Sequence, residues 1–143
     1  MEEYKRLFNS CLKVLGIRPR SEKEIRDLLA KKSTDTDLIN QIVAKLKNEN
    51  LINDSEFAVW YIASRNRTRP RGQRLLQQEL KQRGVTVPVE IDEKQLAKEA
   101  LQKKDRLWKN LSANDYRRKA IAYLQYRGFP WSAIEEAIKK AYN

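Results

Sequence analysis

The sequence predicts an all-α protein made of helical units stacked in series. Apolar residues recur every third or fourth position, and only four glycines and four prolines interrupt the 143 residues. The basic tripeptide at 18–20 recurs at 69–71, and repeats of up to about fifty residues are typical of helical arrays. Charged residues make up 34% of the chain, against about a quarter in average domains. We therefore expect an elongated shape with extensive exposed surface.

The first unit is expected over residues 1–50 and contains three helices. Apolar positions at helical spacing indicate the first helix. Ser21 and Glu24 form a capping box, in which each side chain satisfies the other residue's backbone amide, and this box begins the second helix. Asp35 or Thr36 is expected to cap the third helix.

The second unit is expected over residues 51–91. A second capping box at 53–56 begins one helix, and Pro70 separates that helix from another that begins near Gly72. The segment Val85–Ile91 alternates as a strand would, but the sequence offers no partner strand. We therefore interpret this segment as an extended linker.

The third unit is expected over residues 92–143. Asp92 is predicted to cap one long helix that carries apolar residues as far as Leu111. Ser112 then begins a second helix, and Ser132 is predicted to cap the last one.

The distribution of charge points to an acidic partner. The net charge is +11, and the twenty residues from position 65 contain seven basic side chains and one acidic side chain. These basic residues are predicted to contact phosphates or an acidic protein surface: Arg65, Arg67, Arg69, Arg71, Arg74, Lys81 and Arg83. Smaller sets occupy corresponding places in the other two units: Arg18 and Arg20, then Arg117, Arg118 and Arg127. An ordinary solvated basic face is the alternative interpretation.

Two aromatic residues could stack on nucleic-acid bases, whereas the others are at core spacing. Tyr126 and Trp131 flank a basic turn and are the best candidates for stacking. Cys11 lies on an apolar stripe and is interpreted as a small core residue.

The composition argues against an enzyme and against a cofactor. The chain has no histidine, so neither a Ser-His nor a Cys-His catalytic arrangement can form, although a nuclease built from carboxylates and Mg²⁺ stays open. The sequence shows no metal-ligand cluster and no glycine-rich phosphate loop. One cysteine excludes an internal disulfide, so we expect a cytoplasmic setting. No stretch of eighteen apolar residues predicts a membrane span.

Four sequence elements are distributed over most of the chain: Arg18–Ile25, Leu46–Arg65, Gly72–Gly84 and Tyr123–Phe129. Together these elements resemble the RecX family of bacterial regulators, which bind the RecA recombinase. The resemblance implies tandem three-helix repeats in a curved, all-α arrangement. It also implies a protein that lies in the groove of RecA–single-stranded DNA filaments and restrains the recombinase. Where the family usually carries a third helix in its middle repeat, this chain has only Thr86–Ile91, so the middle repeat is expected to be truncated.

Three interpretations of function follow. The first is a monomeric, RecX-like regulator whose partners are the RecA filament and single-stranded DNA, with no membrane involved. The second is a stand-alone DNA- or RNA-binding helical module. The third is an adaptor that binds some other acidic protein. Binding to naked single-stranded DNA, compared with recombinase-coated DNA at matched salt, separates these interpretations.

Overall fold

The computed structural model describes residues 1–142, which form nine helices and no strand. This confirms the all-α prediction. The helices are α1 (Glu2–Leu15), α2 (Glu22–Ala30), α3 (Thr36–Asn48), α4 (Asp54–Thr68), α5 (Gln73–Gln82), α6 (Glu93–Gln102), α7 (Asp105–Trp108), α8 (Ala113–Tyr126) and α9 (Trp131–Tyr142). Over residues 1–142, no helix is both long enough and apolar enough to cross a membrane.

The structure groups the residues into two compact units, whose bounds differ from those of the three predicted repeats. In the structure, the first unit contains residues 1–61 and 80–87, and the second unit contains residues 62–79 and the chain from Pro88 onward. Helices α4 and α5 each contribute residues to both units.

The core of the first unit lies among α1, α2 and α3. The predicted capping box is present, since the Ser21 side chain accepts from the Glu24 amide and the Glu24 carboxylate accepts from the Ser21 amide. Asp35, rather than Thr36, caps α3 by accepting from an amide nitrogen at 3.1 Å. The buried side chains that these helices contribute are Leu7, Cys11, Ile25, Leu29, Ile39, Ile42, Val43 and Leu46, and Ile52 joins them from the connection after α3.

Cys11 is fully buried in this core, as its position on the apolar stripe predicts. Burial raises the pKa of the Cys11 thiol to about 11. At neutral pH the thiol is therefore protonated, and it acts as a small apolar side chain.

The core of the second unit lies mainly among α6, α8 and α9. Ser112 caps α8 as predicted, by accepting from the Asp115 amide. The buried core residues are Ala97, Ala100, Leu101, Tyr116, Ala120, Leu124, Phe129, Ala133, Ile134, Ala137 and Ile138.

Two predictions in the third repeat are wrong. The long helix expected from Asp92 is interrupted, because α6 ends at Gln102 and α7 begins at Asp105. This break allows Trp108 to pack edge-to-face against the aromatic rings of α8. The last helix begins before Ser132, because the carbonyl of Pro130 already accepts the first backbone hydrogen bonds of α9. Ser132 therefore lies inside the first turn and does not cap the helix.

The middle of the chain has only two helices, as the truncated middle repeat predicts. After α5, residues 85–92 adopt no regular secondary structure. This segment is nevertheless packed rather than free, since Val85 is buried in the first unit and Val89 in the second. The predicted extended linker thus agrees with the backbone of this segment but did not anticipate the burial of its valine side chains.

Two glycines bring two chain segments together within the second unit. The Gly72 amide donates to the Arg127 carbonyl oxygen at 2.8 Å, which joins the α4–α5 loop to the α8–α9 turn. A Cβ atom on Gly72 would overlap the backbone carbonyl of Gly128. Gly128 itself has φ +83°, where a side chain is strained, and its own Cβ would lie 2.7 Å from Leu75 Cβ. Both positions therefore require glycine.

We predict that Gly72→Ala destabilises the second unit, because the added methyl group displaces rigid backbone atoms rather than a flexible side chain. The free energy of unfolding should fall by about 2–3 kcal/mol in a urea titration followed by circular dichroism. Gly16→Ala is the matched control, since its Cβ would meet the nearest carbonyl oxygens at an ordinary 3.5 Å. Equal stability of the two variants would contradict this account of the glycine contact.

Candidate nucleic-acid interface

The Arg-rich loop between α4 and α5 is held at both of its helix ends. Pro70 lacks a backbone donor, and α4 ends two residues before it. The Lys103 ammonium donates to the carbonyl oxygens of Arg67 at 3.2 Å and Thr68 at 2.8 Å, so it caps the C-terminus of α4. The Glu93 carboxylate accepts from the Gln73 amide at 3.1 Å and caps the N-terminus of α5. Neither cap is predicted by the local sequence, because each capping side chain lies 20 or more residues away along the chain.

Arg71 is buried within this loop and supports it from inside. Its side chain is 8% exposed and forms an ion pair with Glu79 at 2.6 Å. Its Nε donates to the Arg69 carbonyl oxygen, and its backbone amide donates to the Asn66 side chain at 3.1 Å. The structure therefore places Arg71 inside the protein rather than at its surface. Arg65 lies 3.9 Å from the same Glu79 carboxylate.

The neighbouring arginines are exposed. Arg67, Arg69 and Arg74 all face solvent. Within the described part of the chain, none of the three has a carboxylate within 4 Å. The contact between Gly72 and Arg127 brings the α8–α9 turn to the same loop. Arg127 in that turn is half-exposed. We name the arginines of the end of α4, the loop, the start of α5 and this turn the basic corner: Arg67, Arg69, Arg74 and Arg127.

The two other predicted basic residues of the third repeat lie on α8 and differ in whether they pair with a carboxylate. Arg117 is exposed, and its guanidinium carbon lies 5.9 Å from the centre of the Trp131 ring. Arg118 pairs with Asp115 one turn earlier on α8, and this hydrogen bond lowers the pKa of the Asp115 carboxyl. Arg118 is thus partly neutralised at the surface, whereas Arg117 is not paired with a carboxylate among the described residues.

In the first unit, Arg18 and Arg20 hold the turn before α2. Arg18 pairs with Glu24 at 2.7 Å, and its guanidinium carbon lies 5.8 Å from the centre of the Trp60 ring. Arg20 donates to the Val14 carbonyl oxygen at 3.3 Å. Burial raises the pKa of the Glu24 carboxyl, but the hydrogen bonds from Arg18 and from the Ser21 amide together lower that pKa by more. The net shift of the Glu24 pKa is therefore downward. Glu24 is therefore ionised and pairs with Arg18 at neutral pH.

Arg83 also has structural contacts in the first unit. Its guanidinium carbon lies 4.7 Å from the centre of the Tyr61 ring, a cation–π distance. Its backbone carbonyl accepts from the Ser21 hydroxyl at 2.8 Å. Lys81, two residues earlier in the last turn of α5, is exposed. The predicted residues Arg18, Arg20, Lys81 and Arg83 thus lie in the first unit, and the basic corner lies in the second.

Among the aromatic candidates for stacking, Tyr126 is 81% exposed and Trp131 is 47% exposed. Trp108 and Tyr123 pack against each other edge-to-face, with ring centres 5.9 Å apart. The Tyr123 ring also lies 5.7 Å from the Arg127 guanidinium carbon. Across residues 1–142, no group of three or more His, Cys, Asp or Glu side chains could hold a metal ion.

We predict that Arg71→Met lowers the free energy of unfolding by about 2–4 kcal/mol, because it removes the 2.6 Å ion pair from the largely buried Glu79 carboxylate. Arg74→Met is the matched control, since it removes the same group from an exposed site and should change stability by less than about 0.5 kcal/mol. Urea denaturation of both variants provides the measurement. Similar losses in the two would show that Arg71 has no internal role.

Comparison with known proteins identifies the family. Sequence profiles of three RecX domains match the chain in order: the first three-helix domain matches residues 8–46, the second 53–88 and the third 92–138. The crystal structure of RecX from Lactobacillus salivarius has a TM-score of 0.80 to this chain. That match covers 97% of this chain and 96% of the other at 20% identity, and it supports the fold alone.

Two proteins with the name regulatory protein RecX are similar in sequence. One from Bacillus velezensis is 34% identical across 97% of this chain, which spans 56% of that protein's length. One from Pelodictyon phaeoclathratiforme is 31% identical, and the match covers 90% of this chain and 84% of that protein. The three domain profiles also match most of the chain. The resemblance seen in the sequence is therefore confirmed, and the chain belongs to the RecX family of regulatory proteins.

Proposed function

We propose that this chain binds the filament that the RecA recombinase forms on single-stranded DNA, and that it restrains recombinase activity. The ordered match to all three RecX domains carries this proposal. The proposed partners are the recombinase filament and the DNA within it, and the protein acts as a monomer without a cofactor. No catalytic step is assigned to it.

The basic corner is the surface that we assign to DNA phosphates. Its four guanidinium groups are permanently charged, and a guanidinium can donate two parallel hydrogen bonds to one phosphate. No internal ion pair has to be broken before Arg67, Arg69 or Arg74 binds, because these side chains have no carboxylate nearby in the region that the structure describes. Within the second unit, Arg65, Arg117 and Arg118 would add to this charge, and Lys81 is a separate exposed candidate on the first unit. The internal contacts of Arg71, Arg18, Arg20 and Arg83 favour structural roles.

The proposed mechanism is steric and electrostatic. The helical repeats contact neighbouring recombinase subunits, while the basic corner contacts DNA or acidic filament surface. A chain bound in this way blocks access to the filament groove or favours loss of the filament. Positive charge also raises the rate of encounter with an anionic assembly.

We predict that the purified protein binds RecA-coated single-stranded DNA more tightly than naked single-stranded DNA at the same salt concentration. Contacts to both protein and DNA add affinity that DNA alone cannot supply. Fluorescence anisotropy of labelled DNA measures both affinities, and strand exchange and ATPase assays measure the restraint. No effect on either activity at stoichiometric protein would overturn the proposal. Equal affinity for both forms of DNA would instead favour the stand-alone nucleic-acid module.

We predict that Arg67→Ala/Arg69→Ala/Arg74→Ala weakens filament binding by about 10–100-fold near 0.1 M salt, because three sites of counterion release are lost. The slope of log affinity against log salt should become shallower by about 2.

The matched control is Lys5→Ala/Arg6→Ala/Lys13→Ala, which removes the same charge from exposed positions on α1. If both triple variants lose affinity equally, total charge rather than the basic corner determines binding. Unchanged affinity of the first variant at low salt would remove the basic corner from the interface.

A further inference from the structure

A cavity of about 470 Å³ opens among α6, α7, α8 and α9 in the second unit. None of the predicted binding residues contributes to its wall. Its lining includes the polar and aromatic side chains of Lys98, Gln102, Asp105, Trp108, Lys109 and Lys140. A volume of this size accommodates a small ligand or one unit of a polymer.

The aromatic wall of the cavity is held in place. The Trp108 ring is nearly perpendicular to the rings of Tyr116 and Tyr123, with centres 6.1 Å and 5.9 Å apart. Such edge-to-face pairs fix the orientation of a ring. The Tyr116 ring, Leu101 and Ala137 form the buried floor of the same cavity. A flat ring therefore finds a pre-formed apolar surface here.

The charge around the cavity favours an anion. Three lysines and one aspartate line it. In the part of the chain described by the structure, Lys98 and Lys109 have no carboxylate within 4 Å. Lys140 is 3.6 Å from Glu136, a carboxylate that Lys94 approaches more closely at 3.3 Å. The lysine ammonium groups are therefore largely available to a ligand phosphate.

The two remaining polar groups favour a heteroaromatic ligand over an acidic peptide. The Gln102 amide can both donate and accept hydrogen bonds, and the Asp105 carboxylate can accept from an amino group on a base. The carboxylate side chains of an acidic peptide offer no such donor to Asp105. These features match the parts of a nucleotide. The apolar ring surface fits the face of a base, Gln102 and Asp105 fit its polar edge, and the lysines fit the phosphate.

We propose that this cavity binds one nucleotide of single-stranded DNA, with the base against Trp108 and the phosphate near Lys98 and Lys140. This inference rests on the proposed function, because the DNA strand comes from the filament. A chain of side-chain contacts connects the cavity to the basic corner, and this connection favours a DNA strand over a free nucleotide. Tyr123 contacts Trp108, which lines the cavity, and lies 5.7 Å from the guanidinium carbon of Arg127, which belongs to the basic corner.

The test follows the indole N–H signal of Trp108 by NMR, without recombinase, as DNA is added to the full chain. A short oligodeoxycytidylate should shift this signal, and the same oligomer with abasic sugars should not, because stacking requires a base. Trp108→Phe is used only to assign the signal. Deoxycytidine monophosphate should shift it only at much higher concentration, and an acidic peptide should leave it unchanged.

Two double variants of equal charge test the lysines. Lys98→Ala/Lys140→Ala should raise the oligomer concentration at the midpoint of the Trp108 shift by about tenfold, equivalent to about 1.4 kcal/mol. Lys119→Ala/Lys139→Ala removes one lysine each from α8 and α9, and neither residue lines the cavity or shares a carboxylate with a lysine that does. This control should change the midpoint by less than about twofold, because both substitutions lie outside the site.

Several outcomes would overturn the inference. They are equal shifts with the abasic oligomer, equal affinity for the free nucleotide, a shift produced by the acidic peptide, and equal effects of the two double variants. If Trp108 does not respond but the unmodified chain still binds filaments, the cavity inference fails and the proposed function stands. If Trp108 responds but filaments are not bound, the proposed function fails and a nucleotide site remains.

Discussion

The backbone contact between Gly72 and Gly128 is the constraint on which the candidate interface depends. It allows the Gly72 amide to reach the Arg127 carbonyl oxygen at 2.8 Å, a distance that any side chain at position 72 would prevent. Lys103 and Glu93 then hold the two helix ends that flank the loop. The loop arginines thus extend from a backbone that has already lost most of its conformational freedom, which lowers the entropy cost of binding.

The structure separates arginines that stabilise the protein from arginines that can bind a partner. Arg71 and Arg18 each have a carboxylate close by, and their removal would leave a partly buried charge behind. Arg67, Arg69 and Arg74 have no comparable partner within the described chain, so their charge acts on the surrounding solvent and on ligands. A basic stretch that looks uniform in sequence therefore contains two physically different classes of residue.

The sequence predicts those features that depend on neighbouring residues. The caps at Ser21, Asp35 and Ser112 are local, since each side chain bonds an amide three positions ahead. The break after Gln102 and the burial of Arg71 depend on partners distant in sequence, such as Tyr116 and Glu79. The apolar spacing continues across the break, so periodicity alone could not reveal it. The cavity beside Trp108 likewise forms only where four helices pack together, and no sequence motif indicates its presence.

The burial of Cys11 has a practical consequence for studies of assembly. It is the chain's single cysteine, and its thiol is protonated and enclosed at neutral pH. Maleimide reagents react with exposed thiolates. A dye could therefore be attached selectively to a new cysteine placed anywhere on the exterior, without first mutating the native one. Labelled protein of this kind would allow residence times to be recorded one molecule at a time.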